Sequence, residues 1–425
     1  MLDDLVLRMS LTVRRTTLAS SGAATRSRAL AHSAPVAENP GMFDVVIAGG
    51  GIGGAVLAAL LVRGGLRVTV IERAKGPPPF LRPEILWPPA VATLCSLRPR
   101  EFWERECFRA LGGITMFRKG RAIPFLTPAI ISRAGAQPFI NQPNNTRETL
   151  LAICGAEVRR GVEVLGVLRD GARVCGLRAR EIATGVEFEI EAALTVGDDG
   201  PHSKVREGCG IPLELRRFPV EFLVRALPWP EGWPDDVVRL WPARRNAAGL
   251  LGFGMMPMPG GSAAALALVR GGQSDAALEE AWAGLSGDEE LAAVRECGFP
   301  HGFTRIHRDW GHAGGYGCAG AVLIGDAIHP VSPAGGQGAN MAIADADALA
   351  RLILAGTPDI AAALENERRP FNERGIRPTR LASRAMSGTL PGALARLALP
   401  LFLSSAALRV RALRVLANMA AAVPR

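Results

Sequence analysis

The chain has 425 residues, 48 % hydrophobic and 21 % charged, enough for one large or two modest domains with real cores, and not the composition of a disordered protein. Its net charge of +9 comes almost wholly from arginine, since Lys75, Lys119 and Lys204 are the only lysines. No Lys/Arg run interleaves with aromatics, which argues against a nucleic-acid partner. The seven cysteines are odd in number, scattered and never Cys-x-x-Cys, which argues against a disulfide framework or a zinc site and for a reducing, cytoplasmic compartment.

In chain order, residues 1–41 carry Arg14, Arg15, Arg26 and Arg28 among Ser, Thr and Ala, with no acid between Met9 and Val36. That is the composition of a transit peptide, although Asp3 and Asp4 oppose it. The plainer expectation is that folding begins at Met42 and that this extension is dispensable. Phe43 to Ala48 is a short apolar, β-branched run, as a buried parallel strand should be. Gly49 to Gly54 follow, then a small-residue helix over Ala55–Arg63 and a second strand over Leu66–Glu72.

A hairpin pattern spans Ile114 to Phe125 with its turn at Lys119-Gly120, and Thr146 to Arg160 reads as a helix capped by Asn145 or Thr146. Strands are expected at Val162–Leu168, Ala172–Ile182 and Phe188–Val196, with turns at Asp170-Gly171 and Thr184-Gly185. Strands dominate again from Glu221 to Val269. The uncharged stretch Asn246–Val269 reads as two buried strands joined at Pro257–Gly261, not as a membrane span. Val322 to Ile324 is a last short strand, followed by a Gly-rich loop and a long helix from about Gly338. The remainder is helix or loop. Leu397–Leu408 is uncharged and too short to span a bilayer, and Arg409, Arg411 and Arg414 follow it. Packing on the domain that holds Gly49 to Gly54 is the favoured reading of this tail, with weak peripheral membrane contact as the alternative.

This order implies a nucleotide-binding domain interrupted by a substrate-covering antiparallel sheet. The expected division is 1–41 extension; 42–110, 145–214 and 306–365 nucleotide-binding domain; 111–144 hairpin and 215–305 sheet of the substrate domain; and 366–425 helical tail.

Gly49-Gly50-Gly51-Ile52-Gly53-Gly54 satisfies Gly-x-Gly-x-x-Gly between a strand and a helix. Gly49 allows the tight turn, Gly51 lets backbone approach a pyrophosphate, and Gly54 lets helix and strand pack closely. The helix N-terminus, starting about Ile52 and Gly53, offers free N–H groups and a positive dipole end. Glu72, followed by Arg73, closes the second strand where a carboxylate accepts from a ribose diol. These features predict a dinucleotide without separating FAD from NAD.

One further segment separates them, and three more agree with it. Val322-Leu323-Ile324-Gly325-Asp326-Ala327-Ile328-His329-Pro330, with Pro333 and then Gly335-Gly336-Gln337-Gly338-Ala339-Asn340, is similar to the Gly-Asp segment of para-hydroxybenzoate hydroxylase-like (group A) FAD-dependent monooxygenases. The resemblance implies that Asp326 holds the ribityl chain of FAD and that Gly338, Ala339 and Asn340 lie along the isoalloxazine. Gly197-Asp198-Asp199-Gly200-Pro201-His202-Ser203-Lys204-Val205-Arg206 is similar to the family's Asp-Gly segment, which implicates Asp199 and Arg206 in FAD and NAD(P)H binding. Arg82-Pro83-Glu84 resembles the family's Arg-Gly-Glu, with Arg82 toward the pyrophosphate, and Gln142 and Arg147 match a further FAD contact at a helix head.

The fold class implied is α/β: a Rossmann-like FAD-binding domain interrupted by an antiparallel β-sheet substrate domain, with a helical C-terminal tail. The activity implied is hydroxylation or epoxidation of a small, largely apolar organic substrate by O2, through a flavin hydroperoxide, with NADH or NADPH as reductant. The same scaffold also admits a reductase of isoprenoid double bonds, a halogenase or a non-catalytic flavin-binding protein. No metal site and no catalytic side chain is assigned, and His329 is read as structural. Tyr316 is the only tyrosine, which excludes a phenol held by several tyrosines. Trp241, Met256 and Pro333 are the candidate substrate contacts, with core packing the favoured role of Met255, Met256 and Met258.

Overall fold

The structure is a computed structural model that describes residues 42–77, 83–105, 107–118, 120–243, 249–285, 289–333, 336–386 and 405–419. The extension 1–41, Arg82 and Lys119 lie outside them.

The first apolar run forms β1 (Phe43–Ala48), the glycine turn enters α1 (Ile52–Arg63), and β2 (Val68–Glu72) pairs parallel with β1. The chain then makes β3 (Glu84–Leu86), α2 (Pro88–Leu97), α3 (Arg100–Glu104) and β4 (Phe108–Ala110). The expected hairpin is β5 (Gly113–Arg118) and β6 (Arg121–Leu126), with Gly120 at φ +71°. After it come α4 (Pro128–Ala134) and β7 (Phe139–Asn141), and β7 joins β3 and β4 in a small antiparallel sheet.

The next helix differs from expectation. α5 covers Pro143–Ile153, starting three residues before Thr146 because Pro143 occupies the first turn, where its missing N–H costs nothing. It ends before Gly155 at φ +72°, and Glu157–Arg160 is a strand, β8, parallel to β2. Pairing with the open edge of β2 overrides the helical pattern in that stretch. The three expected strands follow as β9 (Val162–Asp170), β10 (Arg173–Glu181) and β11 (Glu187–Gly197), and then the short α6 (Lys204–Gly208).

The inserted sheet contains β13 (Val220–Pro228), β14 (Val237–Pro242), β15 (Leu250–Pro257) and β16 (Ser262–Arg270), after the two-residue β12 (Arg216–Arg217). α7 (Asp275–Leu285), β17 (Thr304–Ile306) and β18 (Asp309–Trp310) close it. Its strand order is β17-β13-β16-β15-β14-β5-β6, so the early hairpin adds to it through a parallel β14–β5 pairing. The chain returns to the first sheet as β19 (Gly317–Cys318) and β20 (Ala321–Leu323), followed by α8 (Gly338–Leu354), α9 (Ile360–Met386) and α10 (Ala406–Ala417). Among the described residues no helix is long and apolar enough to cross a membrane.

In the first sheet the order β20-β11-β1-β2-β8 is parallel throughout. Parallel pairing brings the C-terminal ends of β1, β2, β11 and β20 to one edge, although they are far apart in sequence. Two expected boundaries fall inside helices: 144/145 within α5 and 365/366 within α9.

The reason α9 belongs to the first domain is electrostatic. Asp345, on α8 and fully buried, accepts from Arg368 Nε at 2.9 Å and Asn372 Nδ2 at 3.1 Å, both on α9. Its other oxygen lies 2.5 Å from His329 Nε2 and accepts from Gly325 N at 3.2 Å, in the loop after β20. Asn372 Nδ2 also donates to the Tyr316 hydroxyl at 3.1 Å, which lies 2.9 Å from His312 Nε2. His329 is therefore structural, as expected. Burial by itself would raise the Asp345 carboxyl, but His329 and Arg368 overcome it and hold it well below the usual range. Burial, with neighbouring positive groups, lowers His312 to about 3.

Asp345→Asn is expected to destabilise the protein by about 3–5 kcal/mol in denaturant titration, because it leaves the buried Arg368 charge without its counterion. The pH dependence has a definite sign. Below an unfolded histidine pKa of about 6.5 the unfolded chain takes up a proton at position 312 that the folded chain refuses. Stability should thus fall from about pH 6.5 toward pH 3. His312→Gln should flatten that part of the profile, and an unchanged slope would contradict the assignment.

Candidate functional site

The glycine turn is shaped by what it approaches. Gly49 sits at φ +97°, and a Cβ there would lie 2.2 Å from the Asp198 carbonyl oxygen. A Cβ on Gly54 would lie 2.4 Å from the Gly49 oxygen, so helix and turn close on one another only without it. Helix α1 begins at N-cap Gly51 with no side-chain cap and no acid in its first turn. The N–H groups of Gly51, Ile52 and Gly53 therefore form an open, positive helix end.

Glu72, nearly buried at the end of β2, accepts from Gly50 N at 2.9 Å and Ala74 N at 2.7 Å. A carboxylate has about four acceptor sites, so capacity remains for a diol. Arg73 turns outward, with Nε 4.0 Å from Glu163. Gln142 is the N-cap residue of α5, and its Oε1 is buried without a partner in the structure. Arg147, one turn later, pairs with Glu148 at 2.7 Å and reaches the Gly76 oxygen at 3.5 Å.

The two acids after β11 divide their roles. Asp199 turns toward its own loop, accepting from Lys204 N at 2.6 Å and Val205 N at 3.3 Å. Asp198, which sequence reasoning passed over, points back under the glycine turn and accepts from Gly54 N at 2.6 Å. Burial, reinforced by the like charges of Asp326, Asp199 and Asp345, pushes the Asp198 carboxyl well above the usual range, against the Gly54 hydrogen bond. The doubled acid directly after a parallel strand was the available signal. Arg206 donates to the Ala327 oxygen at 3.0 Å and the Pro201 oxygen at 2.9 Å, tying the second segment in chain order, 197–206, to the third, 322–340.

Asp326 follows Gly325, which sits at φ +60°, and its carboxylate lies 3.8 Å from Arg308 Nη1. Helix α8 begins at Gly338 and Ala339, again with no side-chain cap and no first-turn acid. The side chain of Asn340 is engaged by protein: it accepts from Trp87 N at 2.8 Å and donates to the oxygens of Ile85 at 2.8 Å and Gly336 at 2.7 Å. It fixes the β3–α2 junction to the start of α8, leaving only its backbone N–H at the open helix end.

The candidate substrate residues separate by strand parity. Trp241 is fully buried on the far face of the inserted sheet, stacked on Phe117 and packed with Phe253 and Met255. It faces away from the glycine loops, so its expected role as a substrate contact gives way to core packing. Leu240 and Met256 point to the other face, with Ile85 and Trp87. Leu251, Leu266 and Leu268 share a cluster with Val331 and Met341 of the third segment. Met258 is buried in the same cluster as Met256. Pro333 is exposed and its oxygen accepts from Gly336 N at 2.9 Å.

Residues 405–419 of the tail pack on the substrate domain and not, as expected, on the FAD-binding domain, while residues 397–404 lie outside the described residues. Val410, Leu413 and Ala417 of α10 lie in one cluster with Ile130, Ile131 and Ala134 of α4. Arg409 donates to the Pro124 oxygen at 2.8 Å and Arg414 to the Arg133 oxygen at 2.5 Å. Gln337, before α8, donates to the Leu416 oxygen at 3.1 Å. No group of His, Cys, Asp and Glu among the described residues has metal-binding geometry.

A family described as FAD binding domain matches residues 42–377. The 6-methylpretetramide 4-monooxygenase of Streptomyces rimosus is 30 % identical over 372 residues, 81 % of this chain and 85 % of that protein. The structure of Pseudomonas aeruginosa PqsL in complex with 2-aminobenzoylacetate aligns with TM-score 0.67 at 25 % identity, covering 81 % of this chain and 96 % of that one. That of p-nitrophenol 4-monooxygenase PnpA from Pseudomonas putida aligns with TM-score 0.72 at 16 % identity, covering 89 % and 98 %, a likeness of fold. With three glycine-rich or acidic segments gathered at one edge of the parallel sheet and this match over most of its length, the chain belongs to the FAD-binding-domain family of FAD-dependent monooxygenases.

Proposed function

We propose that the chain hydroxylates or epoxidises a small, largely apolar organic substrate, using FAD reduced by NADH or NADPH. The observation that carries this reading is the pair of uncapped helix ends, at Gly51–Gly53 and at Gly338–Asn340, on two segments that the parallel sheet brings together. Glu72 would hold the adenosine ribose, the α1 end the pyrophosphate, and Asp326 the ribityl chain. The buried Oε1 of Gln142, which has no hydrogen-bond partner in the structure, fits an additional bound group. When bound, FAD supplies the redox and oxygen chemistry.

The protein's share is binding, charge placement and exclusion of water. The N–H groups opening α8 favour negative charge on whatever lies against them. The apolar face formed by Leu240, Met256, Leu266 and Leu268 supports an apolar substrate. The relative named for 6-methylpretetramide supports an aromatic one.

Purified protein is expected to be yellow, to release FAD on denaturation, and to oxidise NADH or NADPH faster when its substrate and O2 are present. A protein that neither carries nor takes up FAD would overturn this reading. Glu72→Ala should weaken FAD binding by at least about tenfold in a flavin-fluorescence titration, the loss of one hydrogen bond to a charged group.

Asp198 adds a pH dependence. When ionised it places a negative charge at the helix end proposed for the pyrophosphate, and when protonated it does not. FAD affinity should therefore fall as pH rises through its elevated pKa. Asp198→Asn keeps an acceptor for Gly54 N and removes the charge. It should tighten FAD binding roughly tenfold on the alkaline side and flatten the profile. Equal pH dependence in both proteins would refute the coupling.

A further inference from the structure

We infer that Cys209 and Cys318 form a reversible intramolecular disulfide when the enzyme meets hydrogen peroxide. Their Sγ atoms lie 2.8 Å apart, although the residues are 109 positions apart in sequence. A disulfide bond is about 2.05 Å long, so closure needs less than about 1 Å of approach.

The surroundings suit a thiol pair that reacts. Both residues are half-buried. Cys318, at the end of β19, lines a cavity of about 400 Å³ together with Arg173, Thr357 and Asp359. Cys209 caps α6, where Arg169 donates to the neighbouring Gly208 oxygen at 2.6 Å. Cys318 lines the cavity and Cys209 does not, so peroxide reaches Cys318 first and Cys209, whose thiol burial and the other sulfur push up to about 12, is the second to react.

The chemistry balances with peroxide as the oxidant. The Cys318 thiolate attacks one peroxide oxygen, the O–O bond breaks, and the departing hydroxide takes a proton to become water. Sulfur has lost two electrons and is now a sulfenic acid. The Cys209 sulfur then displaces that hydroxyl, its own proton leaving with it as a second water, and the S–S bond forms. Thiol reductants reverse the reaction.

The bridge would join two segments of the candidate cofactor site. Cys209 ends the helix that follows Asp198 and Asp199, while Cys318 begins the strand pair leading to Gly325 and Asp326. These segments are already joined by the β11–β20 pairing, by Ile324 N donating to the Gly197 oxygen at 2.9 Å and by Arg206 donating to the Ala327 oxygen at 3.0 Å, and the bridge would add a covalent link to them. The oxidised form should therefore melt at a higher temperature and release FAD more slowly than the reduced form.

The test treats FAD-loaded protein with hydrogen peroxide, quenches it with an alkylating agent, and maps the peptides by mass spectrometry. Expected is a linked pair of peptides containing Cys209 and Cys318, lighter by two hydrogen atoms and separated again by dithiothreitol. Cys209→Ser should stop at a Cys318 sulfenic acid that dimedone labels, and Cys318→Ser should leave Cys209 as a thiol. Neither variant should show the rise in melting temperature on oxidation. Both thiols remaining alkylatable in peroxide-treated wild type would overturn the inference, as would their separate over-oxidation or bridges to other cysteines.

Discussion

The buried carboxylate of Asp345 is the interaction on which the arrangement of the third segment depends. It gathers Gly325 N, His329, Arg368 and Asn372, and through Asn372 it reaches Tyr316 and His312. A charge in such a place is tolerated only when its counterion and hydrogen bonds are complete. That requirement fixes the height of the loop after β20 and the seat of α8 and α9 against it. Apolar contacts alone would let α9 slide along the domain, whereas the planar guanidinium of Arg368 sets one register.

The same logic explains how four strand ends become one site. Each segment ends a parallel strand, and each is then held by a short polar strap: Glu72 to Gly50, Asp198 to Gly54, Arg206 to Ala327, Asn340 to Trp87 and Ile85. Every strap ends on backbone. Backbone partners hold a loop's path without depending on which side chains the loop carries, and they leave the first N–H groups of α1 and α8 open.

Much of this was legible in the residues. The β1–turn–α1–β2 unit was, because strand, glycines and acid each have a local physical reason. So were the meander β9 to β11 and the paired strands β15 and β16, marked by turn glycines and apolar runs. What was not legible depended on distant partners. Glu157–Arg160 carries no strand signal of its own and becomes β8 by pairing with β2. Nothing in Trp241 or Met256 told which face of the inserted sheet meets the loop after β20. Asp345 lies in a mostly apolar helix, and its partners Arg368 and Asn372, which reveal its role, are on the next helix. The choice of Asp199 over Asp198 turned on one residue of backbone direction after β11.

The distribution of polar groups also says where the chemistry must lie. His312, Tyr316 and Asp345, all strongly perturbed, are linked to one another through Asn372, so their protons are committed to structure, while Asp198 is the perturbed group under the glycine turn. Trp241, Phe117 and Phe253 stack behind the inserted sheet and stiffen it from the far side. What the protein turns toward its candidate cofactor site is two helix ends, the carboxylates of Glu72 and Asp326, and an apolar sheet face. Such a surface can bind a charged, flat cofactor and orient an apolar molecule beside it, but it offers little acid or base of its own. Rate and specificity in this chain should therefore follow from geometry and from the exclusion of water, which is the division of labour expected when the cofactor carries the reaction.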